Sequence, residues 1–307
     1  MATTRMMQEE KTDPISGCNL TYLSIAFKYN LYYCLGKAKK TRAVVSKLDH
    51  RDLDTGIVTL WTGSCAEGLC LPIENHGYIN VKFDVDQMQV LEIIHRNKCS
   101  DETQHIRRCF YVKASDDHPG YCHLYSCHSD QELTSSRMRE MIRNLADDIF
   151  PGARANNDLS TAVTFSQRMK PEFYHALHMD TDVVLCYKLI EWPFEANEWL
   201  SRERINNWPS PETIAEIIRD GCHLVPKPHP LSKQNYTEWR YSFSGAELAL
   251  GWAFTDAQLF CYIVTKVFFK FEQLVHSESV LKTYYLKTTM YWFCEQLNEE
   301  EAGFLMF

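Results

Sequence analysis

Alternation of apolar and polar positions is clearest in YINVKFDVD (78–86). Ile79, Val81, Phe83 and Val85 fall on one face of this run, and Asn80, Lys82, Asp84 and Asp86 on the other. A period of two residues is that of a strand, so one continuous strand is predicted here. GIVTLWTGS (56–64) reads as a strand ending in a tight turn. RRCFYVKAS (107–115) and GYCHLYSC (120–127) flank the turn-rich DDHPG and predict a hairpin. DTDVVLCYKLI (180–190) is a further strand that stops before Trp192-Pro193.

The period changes to that of a helix elsewhere. The stretch 19–48 predicts a long N-terminal helix or pair, and LTSSRMREMIRNLADDIF (133–150) a helix capped by Ser135 or Ser136. Ser210, Pro211 and Gly221 mark the cap, first turn and left-handed end of another helix. After EWRYSFS the pattern is wholly helical. Ser244 with Glu247, and Thr255 with Gln258, have capping-box spacing. Residues 259–275 are apolar nearly all round, with Lys266 and Lys270 on one side, and 279–297 form a last helix. Strands come first and helices last, which predicts an α+β fold with a helical second lobe.

Composition narrows the class. The chain has 307 residues, 45% of them hydrophobic, enough for a large core. A net charge of −8 argues against a surface that binds nucleic acid throughout, although GKAKKTR places Lys37, Lys39, Lys40 and Arg42 together with Lys47 nearby. Such a run reads either as a local nucleic-acid patch or as a solvated helix face. Arg139 and Arg143, four apart on one helix, carry the same ambiguity. Lys28, Glu247, Asp256 and Lys266 interrupt the apolar stretches, so no membrane span is expected. The N-terminus lacks a signal-peptide core, and none of the twelve cysteines form a C-x-x-C pair. Free or buried thiols and a cytoplasmic or nuclear location are expected. In HPGYCHLYSCH (118–128), His118, Cys122, His123, Cys127 and His128 miss zinc-finger spacing, and no structural zinc is expected.

Candidate chemistry sits where the strands end. Positions i and i+2 of a strand point the same way, so Asp84 and Asp86 present two carboxylates to one site. Two such groups repel unless a proton or cation joins them, and hard divalent ions with oxygen ligands suit the purpose. The Gly63-Ser64 turn offers backbone N–H groups and a hydroxyl to phosphate oxygens. Strand, Gly-Ser turn and paired acids together describe metal-assisted nucleotidyl transfer. A bare D-x-D is common by chance, and its company decides.

That company is specific. GSCAEGLCLP (63–72) followed by DVDQM (84–88) resembles the nucleotidyltransferase signature of the Mab-21 (male-abnormal-21) family, in its cyclic GMP-AMP synthase-like type. WPFEANEWLSRERINNWPSPETIAEIIRDGCHLVPK (192–227) resembles that family's segment of two W-P pairs and G-C-H-x-V-P. EWRYSFSGAE (238–247) resembles its W-R-x-S-F-S-x-x-E, and YYLKTTMYWFCE (284–295) its Y-x-L-K-T helix. The resemblance implies a bilobal nucleotidyltransferase fold. It would have an N-terminal spine helix (1–50), a mixed-sheet core (51–239) and a helix-hairpin-helix-like lobe (240–307) that stops short of the family's usual length.

The resemblance also implies roles. Gly63 and Ser64 would cradle phosphate, and Asp84, Asp86 and a third acid would bind Mg²⁺ or Mn²⁺. Position before the first W-P points to Asp182, with Asp180 the alternative; both lie on one strand face. Arg240, Ser242, Ser244, Lys266 and Tyr284 match positions near the nucleotide. Lys266 and Tyr284 read equally as a solvated head and a core aromatic. Nucleoside triphosphates of the ATP and GTP type would be the substrates, a cyclic dinucleotide the product, and double-stranded RNA or DNA the activator in innate immunity. The developmental members of the family imply a different reading, a catalytically silent scaffold. One departure stands out. IENHGYINVKF (73–83) makes the link between Pro72 and Asp84 longer than the family's, either as a longer hairpin over the site or through a faulty gene model.

Overall fold

A computed structural model describes residues 36, 50–51, 58–69, 73–75, 78–80, 83–98, 109–149, 154–155, 164–168, 179–232, 237–275 and 282–296. The basic run Lys37, Lys39, Lys40 and Arg42 and the predicted N-terminal helix lie outside these residues.

Thirteen strands are described: β1 (His50–Arg51), β2 (Val58–Thr62), β3 (Ile73–Asn75), β4 (Tyr78–Asn80), β5 (Phe83–Ile94), β6 (Phe110–Ala114), β7 (Tyr121–Ser126), β8 (Glu132–Leu133), β9 (Arg154–Ala155), β10 (Thr164–Arg168), β11 (Met179–Leu189), β12 (Cys222–Val225) and β13 (Trp239–Ser242). Eleven of them form one sheet, whose main path is β1-β2-β5-β11-β12-β13-β7-β6. Within it β5 and β11 run parallel, whereas β2 pairs antiparallel with β5. The described helices are α1 (Gly63–Ala66), α2 (Ser135–Ile149), α3 (Asn197–Leu200), α4 (Pro211–Asp220), α5 (Ser244–Trp252), α6 (Asp256–Val275) and α7 (Thr283–Gln296). The fold is α+β, as expected.

Why β11 sits centrally follows from its sequence. Val183, Leu185, Tyr187 and Leu189 face a core shared with Met138 and Ile142 of α2 and with Trp239. Cys186 and the partly buried Val184 pack on the opposite face with Met88, Val90 and Val225. A strand buried on both faces needs the near-continuous apolar run that VVLCY supplies. A second core joins Leu259, Tyr262 and Ile263 of α6 to Met290, Tyr291 and Cys294 of α7, with Ile217, Trp208 and Leu69.

Several boundaries differ from expectation. The single strand predicted over 78–86 is split: β4 pairs with β3 in a separate two-stranded sheet, and β5 begins at Phe83. Segment 73–83 thus contains a hairpin. The cap of α2 is Thr134, whose Oγ1 accepts from Arg137 N at 3.2 Å, not Ser135 or Ser136. Gly221 ends α4 with φ 73° but ψ −139°, so it has positive φ without the left-handed helical ψ. Helix α6 is not buried all round, for Phe268 is exposed while Lys266 is buried. Arg139 is also buried, donating from Nη1 to Pro226 O at 3.2 Å, which removes it from any basic surface.

Cysteines and histidines of the dense 118–128 segment disperse. His118 Nδ1 meets Glu238 Oε1 and His123 Nδ1 meets Glu132 Oε1, each at 2.7 Å, while Cys122 is fully buried. Cys65, Cys122, Cys127, Cys186, Cys222, Cys261 and Cys294 are free thiols, whereas Cys109 is disulfide-bonded, against the expectation.

Candidate active site

The β2–α1 junction builds the first wall. Thr62 ends β2 opposite Asp86 of β5, and its Oγ1 reaches Asp86 O at 3.4 Å. Gly63 then adopts φ 78°, a region that L side chains rarely enter. A Cβ at Gly63 would overlap Asp86 Oδ2, so only glycine lets the turn lie against that carboxylate. The turn closes through Glu67 N→Gly63 O at 3.0 Å, Gly68 N→Cys65 O at 3.0 Å and Leu69 N→Ser64 O at 2.7 Å.

The acids come from the parallel pair. Register sets Asp86 beside Asp182 and Asp84 beside Asp180. Neighbours in register share a face of a pleated sheet, so the four positions fall on one side. The described side chains here are those of Asp86 and Asp182, both partly exposed. Among the described residues no group of three or more His, Cys, Asp or Glu is arranged to hold a metal ion, and a trio that includes Asp84 lies outside them. The chemistry of the donor set, carboxylate oxygens on adjoining strands, fits a hard divalent cation.

A cavity of about 370 Å³ opens above this wall. Gly63, Ser64 and Asp86 line one side, and Arg240, Ser242, Ser244, Lys266 and Tyr284 the other. Eight of the residues singled out in the sequence therefore meet in one space. Asp182 is not part of the lining. β13 brings Arg240 and Ser242, and Ser242 Oγ lies 2.9 Å from Ser244 Oγ at the start of α5.

The two ambiguous residues resolve in unexpected ways. Lys266 is no solvated head: it is 5% exposed and donates from Nζ to Leu69 O at 2.5 Å. Tyr284 is no core aromatic, being 52% exposed at the cavity mouth. Partial burial, then the Glu247 carboxylate, raises its phenol pKa, so the hydroxyl stays protonated.

Sequence reasoning missed Glu67 and Lys287. Lys287 follows Tyr284 by three positions on α7, a spacing that puts both on one helix face and was readable. Glu67 carried no such signal, because its partner lies 220 residues away. Lys287 Nζ meets Glu67 Oε1 at 2.8 Å and Glu247 Oε2 at 2.5 Å. Burial alone would depress the Lys287 pKa, yet the two carboxylates outweigh it and hold the ammonium well above its usual value. Glu247 is thereby drawn away from the capping role expected beside Ser244.

The chain matches a known family. The sequence model of the Mab-21 protein nucleotidyltransferase domain fits residues 74–250. It spans β3 to α5, including Asp84, Asp86, Asp182, Arg240, Ser242 and Ser244. Gly63, Ser64, Lys266 and Tyr284 flank it. With more than half of its length matched, on a mixed sheet that puts paired acids beside a Gly-Ser turn, the chain belongs to the Mab-21 family and carries its nucleotidyltransferase domain.

Proposed function

We propose that the chain is a metal-dependent synthase that joins ATP- and GTP-type nucleotides into a cyclic dinucleotide. One observation carries this reading: the cavity gathers the Gly-Ser turn, Asp86 and the Arg240–Ser242–Ser244 wall from segments far apart in sequence. In this reading Gly63 and Ser64 hold triphosphate oxygens through backbone N–H groups and the Ser64 hydroxyl. Arg240 offers a planar donor fork to the remaining phosphate charge. Tyr284 supplies an exposed aromatic face for a purine at the cavity mouth.

A ribose hydroxyl of one nucleotide attacks the α-phosphorus of the other. The new P–O bond replaces the bond to pyrophosphate, and the hydroxyl proton passes to the Asp182 carboxylate. A second such step closes the ring. Mg²⁺ or Mn²⁺, held by Asp84, Asp86 and Asp182, would neutralise phosphate charge and acidify the attacking hydroxyl. Asp182 is taken as the third acid because register sets it beside Asp86, which lines the cavity; Asp180, set beside Asp84, is the alternative.

Activation by double-stranded RNA or another nucleic acid through Lys37, Lys39, Lys40 and Arg42, a role in innate immunity and a cytoplasmic location complete the proposal. A catalytically silent scaffold is the second reading. The engagement of the Lys266 ammonium by Leu69 O favours it, since one of that group's three donors is spent on the protein's own backbone.

The test is incubation with labelled ATP, GTP, CTP and UTP plus Mg²⁺ or Mn²⁺, with double-stranded RNA, double-stranded DNA or neither, and product analysis by mass. A cyclic dinucleotide that vanishes in Asp84→Asn/Asp86→Asn and on chelation is expected. Folded protein that consumes no nucleotide under any of these conditions would favour the scaffold.

A further inference from the structure

The turn that presents Gly63 and Ser64 is short, and its own three hydrogen bonds are local. What holds it in place comes from the helices. Trp252 Nε1 at the end of α5 donates to Ala66 O at 3.0 Å. Lys266 of α6 donates to Leu69 O. Lys287 of α7 pairs with Glu67 at 2.8 Å. Residues 66, 67 and 69 are thus each tied to a different helix. Gly251 lets α5 approach closely, for a Cβ there would stand 3.3 Å from Glu67 Cβ. Leu69, fully buried, belongs to the helical core and not to that of the sheet.

Among these ties the Lys287 contact differs in kind. Glu67 is 1% exposed and Lys287 8%, and Glu247 from α5 shares the same ammonium. Packing alone would be served equally well by apolar side chains, since a buried ion pair gains little stability over a hydrophobic replacement of the same shape. An ion pair of fixed geometry does, however, demand one relative placement of its three elements. Lys287 also sits beneath Tyr284, its Nζ 5.7 Å from the ring centroid. One ammonium therefore touches the support of the Gly-Ser turn on one side and lies under the exposed aromatic on the other.

We propose that Glu67, Lys287 and Glu247 form a positioning latch. It fixes the Gly63–Ser64 turn relative to Tyr284 and so sets the distance between the phosphate and base ends of the cavity. The latch rests on the nucleotide reading of that cavity, but its mechanical part is separable from it. Lys287 and Glu247 also line the cavity, and it is the exchange of the 63–69 amides, not nucleotide binding, that reads their action through Glu67.

The experiment compares wild type, Lys287→Met and Glu67→Gln/Lys287→Met, the last removing both buried charges and leaving only Glu247, which is partly exposed. Hydrogen exchange of the amides in 63–69 reads the mechanical part. Binding of a fluorescent ATP analogue with Mg²⁺ reads the nucleotide part. Loss of the latch is expected to cut protection in 63–69 about tenfold while the amides of β11 are unchanged, and to weaken analogue binding about tenfold. Unchanged protection and binding in a folded variant would overturn the latch. So would failure of both variants to fold, which would mark the triad as structural only. Lost protection, with no analogue binding even by wild type, would leave the latch standing and overturn the nucleotide reading instead.

Discussion

Gly63 shows how much one residue decides. Its positive φ and its contact with Asp86 leave no room for a side chain. Gly63→Ala is expected to cost about 1–3 kcal/mol of stability from backbone strain. It should also lower nucleotidyl transfer about 100-fold, because the turn must move off the carboxylate. Thermal melts and turnover assays at a temperature where both proteins are folded check the two effects separately. His223 is decided by its surroundings. It is 2% exposed, its Nδ1 has no hydrogen-bond partner among the described residues, and burial, reinforced by the Lys188 ammonium, pulls its pKa down to about 4. The unfolded chain takes up a proton near pH 6.5, which the folded chain refuses until about pH 4. The stability this contributes is complete above pH 6.5 and is lost as pH falls toward 4. Urea unfolding should show a drop of about 2.5 kcal/mol between pH 7.5 and 4.5, flattened in His223→Gln.

Elements show which local signals survive packing. The capping box of α6 is present in full: Thr255 N donates to Gln258 Oε1 at 3.0 Å, and Gln258 N to Thr255 Oγ1 at 3.2 Å. Thr255→Ala should therefore cost about 1 kcal/mol in urea unfolding, whereas Ser244→Ala should change helix capping by less than about 0.5 kcal/mol. The two boxes look alike in sequence, yet α5 starts one residue too early for the second and Phe243 takes the cap position. Lys287 then claims the Glu247 carboxylate. Signals complete within four residues were thus legible only where no distant partner competed. The run 78–86 failed for a related reason. Alternation reports a strand-like period but not the sheet a strand joins, and β4 pairs with β3 while β5 pairs with β2 and β11.

At the scale of the whole molecule, the sheet and the helices meet at the cavity, and neither side completes it alone. The sheet contributes Asp86 and, through β13, Arg240 and Ser242; the helices contribute Ser244, Lys266 and Tyr284. The Gly-Ser turn leaves a strand, yet it is anchored by Trp252, Lys266 and Lys287. No helix among the described residues is long and apolar enough to cross a membrane.

By itself the sequence determined the α+β class, the hairpin β6–β7, strand β11, helix α4 with its Ser210 cap and the family to which the chain belongs. Each rests on a local period, a local cap or a motif of fixed spacing, and these survive any packing that keeps the segment intact. Only the tertiary structure decided that Asp86 stands beside Asp182, that Lys266 turns to Leu69 O, that Tyr284 is exposed and that Lys287 is shared by Glu67 and Glu247. These depend on strand register and on charge partners up to 220 residues apart. The burial that makes such pairings selective exists only once the chain has folded.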